Sequence, residues 1–235
     1  MAAPDIERIV APNPSPMTLE GTNTYVVGRD PATVIDPGPA DEGHMAKVRA
    51  EAEARGGLGD VLLTHSHFDH AEGAPLLSDG ARVPKDGEVI AGLRAIATPG
   101  HASDHVCFLL DRVLFTGDLI LGEGSTIVPP DGGSLAAYLD SLSRVAELDL
   151  DLLCPGHGPL IDDPAAKIAE YIEHRMMRER RLLEGFERGE RSRATLLREV
   201  WDDVPDQLLP AAAQVLEAHL QKLDAEGKLP KDLME

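Results

Sequence analysis

Cysteine, aromatic residues, long apolar runs and positive charge are all scarce in this sequence of 235 residues. Two cysteines, Cys107 and Cys154, are too few for the disulfide framework of a small secreted domain. The longest apolar runs, such as VCFLL at residues 106–110, have the length of a strand, far below the roughly 20 residues that a membrane-spanning helix needs. The first ten residues, MAAPDIERIV, lack the basic and apolar regions of a secretion signal, so we expect a cytoplasmic protein without membrane attachment.

Acidic side chains outnumber basic ones by 41 to 22, which gives a formal net charge of −19. Residues 1–164 contain 26 acidic and 10 basic side chains, whereas residues 165–235 contain 15 and 12. Such acidity is typical of a soluble protein surface, and it repels a polyanion at long range. The charge therefore argues against a protein that binds nucleic acid through a broad basic face.

The order of strand and helix patterns predicts an α/β layered domain followed by a helical part. Short apolar runs that are typical of strands alternate with helical stretches as far as DLLCP at residues 151–155, and DVLLT at residues 60–64 is one of these strands. Helices are expected from Asp41 to about Arg55 and over residues 134–146. Beyond residue 164 the pattern predicts a long charged helix and further helices. We therefore expect two domains, residues 1–163 and residues 164–235.

One short segment, LTHSHFDHAEG at residues 63–73, concentrates histidine and aspartate. The pattern His-x-His-x-Asp-His would arise by chance in about one of a thousand sequences of this composition. If the strand continues through the segment, His65 and His67 lie on one face of it. Imidazole and carboxylate groups are zinc ligands, and four of them so close together can be divided between two metal ions. The alternative is a solvated or pH-sensitive histidine loop.

Three further segments place a polar side chain just after a predicted strand, where open α/β sheets build their sites. They are TPGHASDH with His101, FTGDLI with Asp118, and PGHGP with His157. Two divalent cations balanced by two carboxylates and one hydroxide would leave a locally cationic site. Such a site favours substrates whose carbonyl or phosphoryl oxygen becomes anionic during the reaction.

Asp36 and His105 are candidates for positions beside the metal ligands or the substrate. Asp36, in VIDPG, could accept a hydrogen bond from a ligand histidine or could be a simple turn residue. His105 could contact the substrate, support a ligand, or be an ordinary histidine at the end of a strand. Cys154 is expected in the core rather than at a metal. The histidines on helical stretches are expected at the surface: His44, His174 and His219.

Together these segments resemble the metallo-β-lactamase superfamily of di-metal hydrolases over residues 22–158. The resemblance implies an αββα sandwich with the site at one edge. It implies that three side chains hold one metal: His65, His67 and His101. It implies that three others hold a second metal: Asp69, His70 and His157. Asp118 would bridge the two metals, which the resemblance implies to be Zn²⁺, with Mn²⁺ or Fe²⁺ as alternatives.

The resemblance also implies a mechanism, in which hydroxide formed on the metals attacks the scissile centre. Asp69 and Asp118 would be the catalytic carboxylates, and Asp69 would help to transfer the proton.

The C-terminal sequence, over roughly residues 165–229, resembles the lactamase-β-2-like group, in which a winged-helix-type module follows the hydrolase domain. This resemblance implies cleavage of single-stranded RNA, as in some members, or release of an acyl chain from a carrier protein, as in related thioesterases. We expect RNA first and a thioester second. Further functions stay open at this point: a glyoxalase II-like thioesterase, a lactonase, a mono-iron persulfide dioxygenase and a non-catalytic nucleic-acid-binding protein.

The segment HRMMRERR at residues 174–181 is the one cationic patch, and it places Arg175, Arg178 and Arg181 at three-residue intervals. These arginines could hold a phosphate of RNA or of a phosphopantetheine arm. The alternative is a solvated helix with salt bridges to neighbouring glutamates: Glu173, Glu179 and Glu184. The apolar spacing in AAAQVLEAHLQKL predicts a core or partner surface, and a homodimer could form through these helices.

Overall fold

The computed structural model describes residues 5–233. Residues 1–4 and 234–235, the two ends of the predicted domains, lie outside the described residues. Within residues 5–233 the strands are β1 (Ile6–Val10), β2 (Asn23–Val27), β3 (Ala32–Ile35), β4 (Leu58–Leu62), β5 (Val89–Ile90), β6 (Leu93–Ala97), β7 (Val106–Leu110), β8 (Val113–Gly117) and β9 (Leu152–Pro155). The α-helices are α1 (Glu42–Ala54), α2 (Phe68–Ala71), α3 (Ala74–Leu77), α4 (Leu135–Ala146), α5 (Pro164–Glu187), α6 (Arg193–Val200) and α7 (Leu209–Ala225).

The strands form two sheets, a four-stranded one with the order β1-β2-β3-β4 and a five-stranded one with the order β5-β6-β7-β8-β9. Neighbouring strands are antiparallel except for the pairs β3–β4 and β8–β9, which are parallel. A helix connects each parallel pair, α1 in the first sheet and α4 in the second, because parallel neighbours need a crossover.

The two sheets pack face to face around a shared core. Tyr25 of β2 and Phe115 of β8 meet edge to face across the interface, with 5.1 Å between their ring centroids. Side chains alternate along β7, so that Phe108 faces the other sheet whereas Cys107 faces the helices outside. Cys154 of β9 lies in the core between the sheets, as the sequence predicts.

Helices cover the outer face of each sheet. Val48 of α1 packs against Val34 of the first sheet, while Tyr171 of α5 joins α4 over the second sheet. The expected N-cap is present, since Asp41 Oδ1 accepts a hydrogen bond from His44 N–H at 2.7 Å. The resulting order of layers, helix–sheet–sheet–helix, confirms the αββα sandwich with a helical C-terminal part.

Helix α5 contributes to two cores. Its first half packs in the cluster beneath α4, whereas Leu182 and Phe186 pack with α6 and α7 in a separate cluster. The apolar residues of α7, such as Leu216, are used inside this C-terminal cluster. The domain boundary at residues 163 and 164 and the homodimer stay predictions. No helix within residues 5–233 combines the length and the apolar character that crossing a bilayer requires.

Two histidines expected at the surface are buried. His44 is 2% exposed, and its Nε2 lies 2.8 Å from Thr24 Oγ1. His219 is fully buried, and its ring centroid lies 5.8 Å from that of Trp201. The expectation failed because helical periodicity identifies a face of a helix without showing what packs against it. His174 is partly buried.

Candidate metal centre

The seven candidate ligands lie just beyond the carboxyl ends of four strands, at one edge of the sandwich. His101, Asp118 and His157 follow β6, β8 and β9, as their strand-end positions predict. Strand β4 ends at Leu62, earlier than expected, so His65 and His67 lie in a loop rather than on one face of a strand. Their rings still meet edge to face, with centroids 4.5 Å apart.

The structure brings these side chains together in overlapping groups whose possible ligand atoms lie within 4.8 Å of one another. In the first group, formed by His65, His67 and His101, His101 Nε2 is 2.9 Å from His67 Nδ1. A further group contains Asp69, His70 and His157. In that group His157 Nε2 lies 3.3 Å from both His70 Nε2 and Asp69 Oδ2.

Asp118 lies between the two groups and faces both. Its Oδ1 is 3.3 Å from His70 Nε2 and 3.4 Å from His157 Nε2, and its Oδ2 is 3.5 Å from His101 Nε2. Each carboxylate oxygen therefore faces a different group. This geometry suits a carboxylate that bridges two cations.

The Nδ1 atoms of three histidines donate hydrogen bonds to oxygen acceptors outside the ligand groups. Their Nε2 atoms therefore remain available to bind a metal. Carbonyl and carboxylate oxygens only accept hydrogen bonds, so each Nδ1 carries the proton. The pairs are His70 with Asp36 Oδ2 at 2.9 Å, His101 with Ile127 O at 2.6 Å, and His157 with Gly21 O at 3.3 Å.

His65 likewise has its Nδ1 in a hydrogen bond and its Nε2 without a partner among the described residues. Thr64 Oγ1 donates to Asp36 Oδ2 at 2.7 Å, so it is free to accept from His65 Nδ1 at 3.0 Å. His65 Nε2 and Asp118 Oδ1 are buried and have no hydrogen-bond partner within the described residues 5–233. Buried polar atoms are rarely left unpaired, and these two are a neutral imidazole nitrogen and a carboxylate oxygen. The side chains therefore fit a pair of divalent cations.

The charge states also suit metal binding. Burial lowers the pKa of His65 well below its ordinary value, and burial also lowers the pKa of His67. Burial opposes the charge on Asp118, but facing His157 and His70 hold the pKa of that carboxyl well below its usual range. Burial likewise opposes a charge on His70, whose pKa is nevertheless raised well above its ordinary value by Asp118 and Asp36. A bound cation would take the place of that proton.

Asp36 and His105 both contact candidate ligands from behind. Asp36 is buried with φ of 49°, in the left-handed region that costs energy for a non-glycine residue, and it accepts from Thr64 and His70. His105 Nε2 accepts from the backbone N–H of Asp118 at 3.1 Å, and its Nδ1 donates to Thr98 Oγ1 at 2.8 Å. Burial lowers the pKa of His105 to about 3. Both nitrogens of His105 are thus hydrogen-bonded, and its Nε2 supports the backbone of Asp118.

Arg175 and Arg178 of α5 do not form the phosphate-binding patch that their spacing left possible. Arg175 and Arg178 are only 2% and 1% exposed, and both donate to backbone carbonyls inside the protein. Arg178 also pairs with Asp203 at 2.8 Å, and Arg181 pairs with Asp202 at 2.9 Å. The solvated-helix alternative is also wrong for Arg175 and Arg178, because the C-terminal residues cover this face of α5. Arg181 is partly exposed.

Sequence reasoning missed some residues that shape the site. A Cβ on Gly156 would lie 2.7 Å from His70 Cε1 and 2.8 Å from Asp118 Oδ1, so only glycine leaves room there. Its place just before His157 in PGHG was the available signal. Phe68, between two candidate ligands, is 70% exposed.

Relatives of this chain were found over nearly its whole length. It is 35% identical to the lactamase-like protein adaB of Aspergillus niger, over 95% of this chain and 81% of that protein. It is 33% identical to the beta-lactamase-like protein 2 homolog of Drosophila melanogaster, over 94% and 88%. It is 34% identical to the atrochrysone carboxyl ACP thioesterase of Aspergillus fumigatus, over 83% and 69%.

A solved structure and two family models identify the fold. The metallo-beta-lactamase family protein TTHA1429 from Thermus thermophilus superposes with a TM-score of 0.75 at 21% identity, covering 94% of each chain. The metallo-beta-lactamase superfamily model matches residues 17–92 and 85–157, and that of the beta-lactamase associated winged helix domain matches residues 194–232. The expected resemblance is confirmed: this chain belongs to the metallo-β-lactamase superfamily and carries the winged-helix domain associated with it.

Proposed function

We propose that this protein is a binuclear metal-dependent hydrolase that cleaves acyl thioesters. The proposal depends chiefly on Asp118, whose Oδ1 lies 3.3 Å from His70 Nε2 and whose Oδ2 lies 3.5 Å from His101 Nε2. The buried and unpartnered His65 Nε2 adds to the argument because a cation would satisfy it.

The proposed ligands fall into two sets that share Asp118. One ion would be held by His65, His67 and His101. The other would be held by Asp69, His70 and His157. Zinc suits this histidine-rich set, and Mn²⁺ or Fe²⁺ are the alternatives. When bound, such ions would lower the pKa of a water molecule and polarise the carbonyl oxygen of the substrate.

Asp69 is the proposed proton acceptor. Its side chain is 30% exposed, so it reaches the solvent-facing side of the site. Burial opposes its ionisation, but the hydrogen bond from His157 keeps the pKa of Asp69 below its ordinary value. Asp69 would take a proton from the attacking water while the water oxygen bonds to the acyl carbon. As the carbon–sulfur bond breaks, the proton would pass to the thiolate, giving a carboxylic acid and a thiol.

A thioester is favoured over RNA by the charge of the chain, by its side chains and by one of its relatives. The net charge of −19 repels a polyanion, and Arg175 and Arg178, which could have held a phosphate, are buried in structural roles. Attack on a carbonyl needs only the site itself, and exposed Phe68 offers an apolar contact to an acyl chain. The thioesterase from Aspergillus fumigatus is one of the relatives. Single-stranded RNA cleavage and the cytoplasmic location remain predictions.

The proposal is tested by a turnover panel of acyl-pantetheine thioesters, lactones and labelled single-stranded RNA with metal-reconstituted protein. We expect thiol release that changes little with added salt and is strongly reduced in Asp118→Asn. RNA cleavage that falls steeply with salt, without thiol release, would show that the substrate class is wrong.

A further inference from the structure

Arg175 connects helix α5 to the segment beside the candidate metal centre. Its side chain is buried, with the guanidinium carbon 5.2 Å from the centroid of the Tyr138 ring. One of its Nη atoms donates to the carbonyl oxygen of Thr126. A buried charged group of this kind is costly to unpair, so the contact fixes both partners.

The dipeptide Thr126–Ile127 contacts two of the proposed metal ligands. Thr126 Oγ1 donates to the backbone carbonyl of Asp118 at 2.8 Å. The carbonyl oxygen of Ile127 accepts the Nδ1–H of His101 at 2.6 Å. The position of this dipeptide therefore decides the direction in which His101 Nε2 points.

The segment that carries the dipeptide is held by buried side chains and hydrogen bonds rather than by regular secondary structure. Residues 119–133, all of them described, form neither helix nor strand. Helix α5 supplies part of this support, since Tyr171 Oη accepts from Leu121 N–H at 2.9 Å and donates to the carbonyl of Gly124 at 3.1 Å. The Ile127 side chain packs against the apolar cluster formed by α5, α6 and α7.

We propose that Arg175 is a positioning residue, which orients His101 by holding the Thr126–Ile127 dipeptide. The C-terminal helices are then part of the support of the metal centre, and they set its affinity for the ion that His101 binds. The effect on metal affinity rests on the proposed function, because it requires His101 to be a ligand.

Arg178 provides a matched control on the same helix. It is as buried as Arg175, lies 5.4 Å from the centroid of the Trp201 ring, and donates to the carbonyl of Val200. Its hydrogen-bond partners lie within residues 174–203 rather than in the dipeptide. Loss of either arginine should destabilise the fold, but only loss of Arg175 should disturb His101.

The test compares full-length wild type, Arg175→Met, Arg175→Lys and Arg178→Met. Zinc affinity is measured by competition with a chelator, and the exchange of the His101 Nδ1 proton is followed by NMR in metal-free protein. We expect wild type to bind two ions and Arg175→Met to bind one of them about 10–100-fold more weakly. Proton exchange at His101 should be faster in Arg175→Met, and Arg175→Lys should fall between it and wild type. Arg178→Met should match wild type in both measurements.

One outcome would overturn the positioning role of Arg175, and another would overturn the binuclear metal centre. Equal zinc affinities and equal His101 exchange in Arg175→Met and Arg178→Met would overturn the role of Arg175. Wild type that binds fewer than two ions would overturn the binuclear proposal instead. In that case the exchange of the His101 proton still decides whether Arg175 positions the ring.

Discussion

His70 Nδ1 lies 2.9 Å from Asp36 Oδ2, and this contact joins a candidate ligand to the end of strand β3. The same carboxylate accepts from both the backbone N–H and the hydroxyl of Thr64, each at 2.7 Å. One buried aspartate thus orients His70 directly and His65 through Thr64.

Asp36→Asn should weaken metal binding about 10–100-fold with little change in secondary structure. The amide has only one accepting oxygen, so its NH₂ group must face one of the three donors that the carboxylate now satisfies. Chelator competition measures the effect. Asp41→Asn is the control, because asparagine also caps a helix and Asp41 lies outside the site. Equal affinities in the two variants would show that Asp36 does not support the ligands.

Asp118→Asn should reduce kcat/KM by about a thousand-fold or more, and His67→Ala should do the same. Each substitution weakens metal binding, and a bound metal stabilises the charge that develops in the transition state by several kcal/mol. Both variants should keep the circular dichroism of wild type. The measurement is thioester hydrolysis with metal-reconstituted protein. Near-normal turnover in Asp118→Asn would contradict the mechanism.

Gly156→Ala should lower metal affinity because the new methyl group would press on His70 Cε1 and Asp118 Oδ1. Gly80→Ala is the matched control, since its Cβ would meet Ser78 Oγ at an ordinary contact distance of 3.5 Å. Titration with zinc compares the two. If both variants bind zinc as wild type does, the packing around Asp118 is looser than these distances imply.

His219 should make the fold less stable in acid. Burial lowers the pKa of His219 to about 3 from its ordinary value of 6.5. Between these values the unfolded chain binds a proton that the folded protein excludes, so stability is lost as pH falls below about 6.5. His219→Leu has no titrating group at this position. Its free energy of unfolding relative to wild type should therefore rise by about 2 kcal/mol from pH 7 to pH 5.

Denaturant unfolding of the metal-free proteins, followed by Trp201 fluorescence, measures this difference. Comparing wild type with the variant cancels the contributions of the other buried histidines. An advantage that does not change with pH would mean that His219 is protonated in the folded state or is solvated.

The candidate site could be predicted from sequence because its parts are local. His101, Asp118 and His157 each follow a short apolar strand, and strand ends on one side of a sheet converge. The tautomers of the histidines could not be predicted. They depend on partners such as the Ile127 carbonyl, 26 positions from His101, and nothing in either segment alone indicates that contact.

The arginines of α5 illustrate the opposite case. Their spacing correctly groups Arg175 and Arg178 on one side of the helix. The spacing does not show whether that side is exposed to solvent or buried. It is buried because α6, α7 and the loop at residues 119–133, which are distant in sequence, pack against it. The same limitation explains why His219 was expected at the surface.

The most direct test of the binuclear centre is anomalous diffraction from a crystal of the zinc-reconstituted protein. We expect two zinc peaks about 3.5–4 Å apart, one beside His65, His67 and His101 and one beside Asp69, His70 and His157, with Asp118 between them. A single peak, or peaks that none of these side chains approaches, would refute the binuclear centre.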